Sequence, residues 1–270
     1  MKVAQVLAEC GLEPREARLL LSEATGYSQA SVLAHAERDV PAEARAMFAD
    51  WTSRRRAGEP VAYLLGRREF YGLPLAVSPE VLIPRPETEL LVELALARLS
   101  EHAPASALDL GTGSGAVALA IKKHRPQARL VASDISAPAL EVARRNAMRL
   151  ALPLELRQGS WFEPLAGERF DLVVSNPPYV AENDAHLAQG DLRFEPRRAL
   201  AAGSDGLAAL REIAADAAKY MRPAGWLLLE HGQGQDAPVR ELLARAGFEG
   251  AVSWPDLAGI ARVTGAKLKS

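Results

Sequence analysis

The string SNPPYV, residues 175–180, closes an apolar run, FDLVV. Proline lacks a backbone N–H and restricts the residue before it to extended geometry. A strand that stops at Asn176-Pro177-Pro178 is therefore predicted to end in a stiff, extended corner. The corner has a definite chemistry. Pro177 and Pro178 offer carbonyl oxygens with no N–H of their own, Asn176 adds a side-chain carbonyl and amide, and Tyr179 adds a flat face. A planar –NH2 group, on an amide or an aromatic amine, matches that set. Its two hydrogens can meet the Asn176 side-chain carbonyl and the Pro177 backbone carbonyl while its plane lies against Tyr179. The lone pair of such a nitrogen is delocalised and weakly nucleophilic. Two accepted hydrogen bonds orient it and draw electron density onto it. No strong base is needed before attack, because the alkylated nitrogen is acidic and loses its proton afterwards.

Three further groups belong with this corner. LDLGTGSGAVALA, residues 108–120, carries Gly111, Thr112, Gly113, Ser114 and Gly115 between a short apolar run and a helical pattern. Glycines allow a tight turn and close backbone approach to a ligand, and the helix start offers free N–H groups. The spacing G-x-G-x-G is not the G-x-G-x-x-G of a dinucleotide loop. Asp134 ends the next apolar run, ARLVASD, where a carboxylate can accept both hydroxyls of a ribose. It could also serve only as a helix cap. Trp161, in QGSWFEPL, is placed to flank an adenine or to sit in the core. Asp109 either braces the glycine loop or meets a ligand ammonium group.

These residues need a scaffold that brings strand ends together. From residue 86 onward, apolar runs of strand length alternate with helical periodicity, which predicts a doubly wound, mostly parallel α/β sheet. The helix read at residues 136–151 is capped by Ser136, with Pro138 in its first turn. Residues 1–66 show only helical periodicity, with Pro14 and Pro41 at helix starts and Gly11, Gly26 and Gly58 at helix ends, so a small helical bundle is expected. Residues 67–85 are β-branched, aromatic and turn-rich and read as a hairpin linker. The division is thus 1–66 helical domain, 67–85 linker and 86–270 ligand-binding domain. Residues 180–203 have no clear pattern, and long loops of that kind are often functional.

Bulk properties narrow the classes. The 270 residues carry a formal net charge of -2, without the basic surplus of a protein that grips long nucleic acid, although a local patch such as Arg54-Arg55-Arg56 is compatible with that balance. That cluster reads as a solvated helix end or as part of a partner-binding surface. A single cysteine, Cys10, sits in an apolar helical pattern and cannot form an intrachain disulfide. The histidines His35, His102, His124, His186 and His231 have no metal-ligand spacing, so no metal is expected. No apolar run is long enough to span a bilayer, and no signal-peptide pattern opens the chain. A cytoplasmic, monomeric protein is expected.

The glycine loop, Asp134 and NPPY, in this order, resemble class I S-adenosylmethionine-dependent methyltransferases. GEPVAYLLGRREFYG, VLIPRPETELLVE, DLGTGSGAVALA, SNPPYV, FEPRRALAAGSDGL and LLLEHG are similar to the HemK/PrmC family, which methylates the glutamine amide of the Gly-Gly-Gln motif in class 1 peptide-chain release factors. The likeness covers nearly the whole chain and is weakest over residues 1–55. It implies a Rossmann-like methyltransferase fold with S-adenosylmethionine as cofactor and S-adenosylhomocysteine as product. Gly111 to Gly115 would contact the methionine part, Asp134 the ribose and Trp161 the adenine region. Asn176, Pro177, Pro178 and Tyr179 would bind the substrate glutamine, with Asn176 also near the cofactor. Arg85 and Glu87, in IPRPETE, would help close the site, or serve only as a helix cap and interdomain pair. The rival readings are an amino-methyltransferase of adenine in DNA or RNA, which uses the same planar-amine logic, and a non-catalytic module keeping the fold. A nicotinamide oxidoreductase fits less well, because no hydride-transfer site is evident.

Overall fold

The computed structural model describes residues 1–101 and 103–269; His102 lies outside the described residues. Five helices come first: α1 Val3–Glu9, α2 Pro14–Thr25, α3 Gln29–Ala34, α4 Ala42–Arg56 and α5 Val61–Leu65. The two short ones, α3 and α5, escape a periodicity reading because each is under two turns long. Helix α2 begins with Pro14 in its first turn, Glu13 accepts from the N–H groups of Arg15 and Glu16, and Gly26 closes it with φ 72°. The bundle buries Leu20, Leu21, Val32, Phe48 and Cys10 in its own core.

A hairpin follows, β1 Arg67–Phe70 and β2 Leu73–Ala76, paired antiparallel. Its two-residue turn, Tyr71-Gly72, has positive φ at both positions (49° and 69°), as hairpin twist demands. The hairpin is shorter than expected. Residues 77–85 run on as irregular chain whose Val77, Val81 and Ile83 pack with Tyr63 of α5 and Val142 of the later helix α8 (Ala137–Leu150).

The remaining elements are α6 Glu89–Leu96, β3 Ser106–Leu110, α7 Ala116–His124, β4 Arg129–Asp134, α8, β5 Glu155–Gln158, β6 Phe170–Ser175, α9 Ala208–Ala217, β7 Met221–Glu230, α10 Asp236–Arg245, β8 Phe248–Pro255 and β9 Ala261–Leu268. They build a seven-stranded sheet in the order β5-β4-β3-β6-β7-β9-β8. Strands β5, β4, β3, β6 and β7 pair in parallel, and β9 inserts antiparallel between β7 and β8. Strand β3 is buried along its whole length and alternates its side chains between layers. Ala107 faces the apolar cluster with α6 and α7, whereas Leu108 and Leu110 face the cluster with α9 and α10. The strand order reverses between β3 and β6, which opens a crevice at their carboxyl ends. No helix among the described residues is long and apolar enough to cross a membrane.

Candidate active site

A cavity of about 330 Å³ occupies that crevice. Its lining includes Asp109, Gly111, Thr112, Gly113, Ser114, Asp134, Trp161, Asn176 and Pro178. Nine of the residues read as chemically significant therefore share one space, although they come from four strand ends.

The glycine loop has the geometry its composition predicts. Gly111, Gly113 and Gly115 have φ of 68°, 55° and 83°, a region other residues enter at a cost. A side chain at Gly113 would meet nothing within 4 Å, so this backbone is open to a ligand. Gly115 has a different task. It is the N-cap of α7, and a Cβ there would lie 3.1 Å from Leu119 and 3.3 Å from Ala143. It lets α7 approach α8 and is not part of the cavity lining.

Three side chains hold the loop. Asp134 accepts from Gly113 N through Oδ2 at 2.9 Å and from Ser136 N through Oδ1 at 2.8 Å. Each carboxylate oxygen retains further acceptor capacity, so bracing the loop does not exclude a ribose. Ser136, not Asp134, caps α8, through Ala139 N at 3.3 Å. Thr112 donates to Asp109 Oδ2 at 2.6 Å. Asp109 is 2 % exposed, and burial raises its pKa to about 7 against the opposing pull of the Thr112 hydrogen bond. The brace and the cavity lining thus coexist in one carboxyl. The third holder is Asn146 of α8, fully buried, which sequence reasoning missed. It donates to Ser114 O at 2.9 Å and to Ala76 O at 3.0 Å, and accepts from Ala76 N at 2.7 Å. It pins the loop to hairpin strand β2. Nothing near Asn146 in the sequence signals this contact with residue 76.

Trp161 has positive φ, 43°, a strained value for a bulky residue and a mark of an over-determined site. Its carbonyl accepts from Ser133 Oγ at 3.1 Å and its Nε1 donates to Glu212 at 2.8 Å. A Cβ on Gly111 would stand 3.5 Å from its ring, so the ring packs over the loop. Beyond Asp134, Ile135 is 63 % exposed and also lines the cavity. An exposed isoleucine facing a cavity offers an apolar surface to a flat ligand, and the pattern around it, SDIS, gave no hint of that.

On the other wall, the Asn176 Nδ2 donates to Thr88 Oγ1 at 3.1 Å. Its carbonyl oxygen is left without a protein donor among the described residues. Pro178 lines the cavity, but Pro177 and Tyr179 do not. Tyr179 packs against the apolar cluster below the sheet and its hydroxyl donates to Glu230 Oε1 at 3.3 Å. Burial beside the Glu230 carboxyl pushes its pKa well up, so it stays a neutral phenol. The Tyr179 carbonyl accepts from Gln235 Nε2 at 3.0 Å, and a Cβ on Gly206 would collide with it at 2.3 Å. The hydroxyl and the carbonyl of Tyr179, expected to offer a face to a substrate plane, are thereby used in shaping the NPPY corner.

Residues 180–203 form three single 3-10 turns joined by a bridge between Val180 and Ala201. Pro196 and Arg198 of this segment reach the cavity, and Arg198 donates to Ser136 Oγ at 2.8 Å. Buried Glu195 accepts from Ile83 N at 3.0 Å and pairs with Arg85, so Arg85 fastens the segment to the linker. Arg55 joins Glu16 at 2.8 Å to Asp191 at 2.9 Å and ties the bundle to the same segment. Arg54 pairs with Glu59 at 2.6 Å. Two of the three cluster arginines are thus used inside the molecule. Among the described residues no group of histidine, cysteine or acidic side chains could hold a metal ion.

The comparisons with known proteins agree with this architecture. The family model described as the PrmC N-terminal domain matches residues 1–66, and that described as the methyltransferase small domain matches residues 87–203. A release factor glutamine methyltransferase from Burkholderia pseudomallei is 49% identical, covering 98% of this chain and 95% of that protein. One from Bordetella pertussis is 51% identical over 97% of this chain and 98% of its own length. Among solved structures, a methyltransferase from Pyrococcus furiosus superposes with a TM-score of 0.57 at 17% identity, covering 82% of this chain and all of that one, a likeness of fold. With half of its residues identical to such relatives along nearly their whole length, the chain belongs to the release factor glutamine methyltransferase family.

Proposed function

We propose that the chain transfers a methyl group from S-adenosylmethionine to the side-chain amide nitrogen of the glutamine in the Gly-Gly-Gln motif of a class 1 release factor. The observation that carries this reading is the state of Asn176. One N–H of its amide is given to Thr88, and its carbonyl has no protein donor among the described residues at a cavity that also holds the glycine loop and Asp134. A donor-rich planar amide is the partner such an acceptor selects.

The cavity fits the proposed cofactor. Its volume of about 330 Å³ lies within the range of small-molecule sites, roughly 300–1,000 Å³. Gly113 presents open backbone, Asp134 keeps acceptor capacity for hydroxyls, Asp109 supplies a carboxyl toward an ammonium group, and Ile135 with Trp161 supplies apolar surface. When bound, S-adenosylmethionine supplies a methyl group on a positively charged sulfur. The chain's own part is positional. Asn176 Oδ1 and the Pro177 carbonyl accept the two hydrogens of the substrate nitrogen and orient its lone pair into the cavity. Pro178 walls the space, and Tyr179 fixes the corner from below. The proton shed after transfer leaves an already acidic nitrogen, so no basic side chain is needed at that point. The helical domain, residues 1–66, would engage the body of the release factor and select one glutamine among many. This reading makes the chain a cytoplasmic monomer with a protein partner and no stable nucleic-acid contact.

The test is a methyl-transfer assay with labelled S-adenosylmethionine and a purified class 1 release factor, mapped by peptide mass spectrometry. Label is expected on the motif glutamine, and none on a release factor in which that glutamine is replaced. Label on adenine of added nucleic acid, with none on protein, would overturn the substrate assignment.

A further inference from the structure

The NPPY corner is stiff inside and has to be held at its ends. Proline fixes φ at about −65°, so residues 176–179 move nearly as one piece. At the near end, Ser175 Oγ donates to Leu110 O at 2.8 Å and Asn176 Nδ2 donates to Thr88. At the far end, the carbonyls of Pro177 and Pro178 take no hydrogen bond from the protein among the described residues, whereas the Tyr179 carbonyl takes one from Gln235. Beyond it, Val180 pairs with Leu200 and Ala202, in the irregular segment of 3-10 turns. Gln235 is therefore the tie that refers the far end of the corner to regular structure.

Gln235 stands at the N-cap of α10, a position that serine, threonine, aspartate and asparagine fill with a side chain short enough to cap the helix. Its own side chain makes no cap and reaches across instead. Its Oε1 accepts from Gly232 N at 2.8 Å, and its Nε2 donates to the Tyr179 carbonyl at 3.0 Å. Both partners are main-chain groups with fixed roles, since an N–H only donates and a carbonyl only accepts. One rotation of the amide satisfies both and the other satisfies neither. Two glycines leave room for it. A Cβ on Gly206 would lie 2.3 Å from the Tyr179 oxygen and 2.9 Å from Gln235 Nε2, and one on Gly232 would lie 3.1 Å from Gln235 Oε1.

The loop under Gln235 is fixed in turn. His231 is fully buried, and its Nδ1 lies 2.9 Å from the Gly232 carbonyl, which can only accept, so Nδ1 carries the proton. Burial holds the ring's pKa below its ordinary value, which keeps it neutral. Its Nε2 then accepts from Thr264 Oγ1 at 2.8 Å. Thr264 Oγ1 in turn accepts from Ser253 Oγ at 2.7 Å, and Ser253 Oγ accepts from Arg240 at 2.6 Å. Every donor in this run points the same way, from α10 through β8 and β9 to the main chain at Gly232. We propose that Gln235 is a positioning residue for methyl transfer: its amide clamps the Tyr179 carbonyl to the loop 231–235, which the His231 run fastens to the sheet, and so sets where the NPPY corner presents its acceptors. This inference rests on the glutamine-amide reading for its effect on turnover, but not for its geometry.

Two variants of similar volume break the clamp in different ways. Q235M makes neither bond, whereas Q235E keeps an acceptor for Gly232 N–H but sets a second acceptor against the Tyr179 carbonyl at neutral pH. Q233M, at an exposed glutamine of the same loop, is the control. Both Gln235 variants are expected to lower kcat about 10- to 100-fold, as a misplaced reactive group does, with Q235E the slower. Calorimetric affinity for S-adenosylmethionine and KM for the release factor should stay within about threefold, and Q233M should keep the wild-type rate. In the N176A background Q235M should add less than about threefold, because the acceptor it positions is already gone. A kcat of Q235M within about twofold of wild type, a loss carried by KM or cofactor affinity in place of kcat, a Q233M as slow as Q235M, or fully additive losses would overturn the proposal. The ¹³C resonance of the Tyr179 carbonyl, followed by NMR in the cofactor-free full chain, reads the clamp without any need for activity. Loss of its hydrogen-bonded shift in Q235M supports the clamp even were release factors refused as substrates, whereas an unchanged shift defeats it even if they are methylated.

Discussion

The two walls of the cavity are built on different principles. The β3–β4 wall is made largely of short-range bonds, with Asp134 reaching back 21 residues to Gly113. Strand, glycine turn and helix follow one another, and Asp109, Thr112 and Ser136 each bond within three residues of themselves. The β6–β7 wall is assembled from afar. Asn176 meets Thr88, Tyr179 meets Glu230, and the Tyr179 carbonyl meets Gln235. A local wall is specified by turn chemistry and exists once the strand and helix form. A remote wall exists only when the sheet, the linker and α6 have all closed, so its accuracy depends on the whole domain. It follows that a carboxylate on the first wall should govern ligand affinity, and groups on the second should govern the reaction rate.

The sharpest test of that division sets two single changes side by side. Asn176→Ala should lower kcat by about 100- to 1,000-fold, the scale of one lost positioning or electrostatic contact in a reacting site. Its affinity for S-adenosylmethionine should change far less. Asp134→Ala should weaken cofactor affinity by roughly 10- to 100-fold, for the loss of charge-assisted hydrogen bonds. Its saturated rate should fall much less. Calorimetry and single-turnover rates measure the two effects separately. Equal damage to both quantities by both variants would erase the distinction between the walls.

The same contrast explains what the sequence disclosed. The glycine loop, the strand carrying Asp134 and the Ser136 cap were legible because each rests on rules spanning fewer than ten residues. The proline corner was legible because proline chemistry is local as well. The environment of Tyr179 was not. Nothing near residue 179 announces that Gly206 will lie against its carbonyl or that Glu230 will take its hydroxyl. Thr88 was hidden by distance, since its partner Asn176 lies 88 residues away. Asn146 was hidden by distance, since its partners lie 70 and 32 residues away. In the bundle, α3 and α5 are too short for periodicity to register, and their helical state follows from packing on longer neighbours.

Asn146 is also the point where the local wall stops being purely local. Replacing it with leucine leaves Ala76 N–H, Ala76 C=O and Ser114 C=O without their partner in a buried place. Asn146→Leu should cost about 2–4 kcal/mol of stability, on the order of two to three unpaired polar groups. Denaturant unfolding followed by Trp fluorescence would measure it. A loss below about 1 kcal/mol would mean that the loop stands without its tie to the hairpin, and is more self-sufficient than the bond pattern indicates.

Each wall also keeps one buried carboxyl with a raised pKa, Asp109 on β3 and Glu230 on β7, both pushed by burial to about 7. Their ordinary values are 3.8 and 4.5. Folding therefore takes up protons between those values and about 7. The folded chain holds the protons that the unfolded chain has released, so stability is greatest at the acid side of that window and falls as pH rises through it. Above about 7 these two groups add no further slope. Asp109→Asn and Glu230→Gln should each flatten part of the decline in unfolding free energy between pH 5 and 7, at constant ionic strength. A decline flattened only by Asp109→Asn would show that Glu230, held by the Tyr179 hydroxyl, stays ionised, and that the remote wall satisfies its carboxyl better than the local one.

The smallest effect concerns Trp161, which belongs to the local wall by position yet is fastened by Glu212 from α9. Trp161→Phe removes the Nε1–Glu212 hydrogen bond of 2.8 Å and keeps an aromatic ring over Gly111. The bond is at the surface, so its loss should cost no more than about 1 kcal/mol of stability. Cofactor affinity should drop by less than about fivefold, if the ring acts through its apolar face. A larger drop in affinity, with stability unchanged, would mean that the Glu212 bond sets the ring's angle against the ligand. The local wall would then depend on a remote partner in the way the NPPY corner does. An unchanged affinity in Trp161→Phe, together with a clear loss in Trp161→Ala, would assign the role to the ring alone. It would also leave the positive φ at residue 161 as the feature that aims it, a constraint carried by the backbone between Ser133 and the loop and not by any side chain of the second wall.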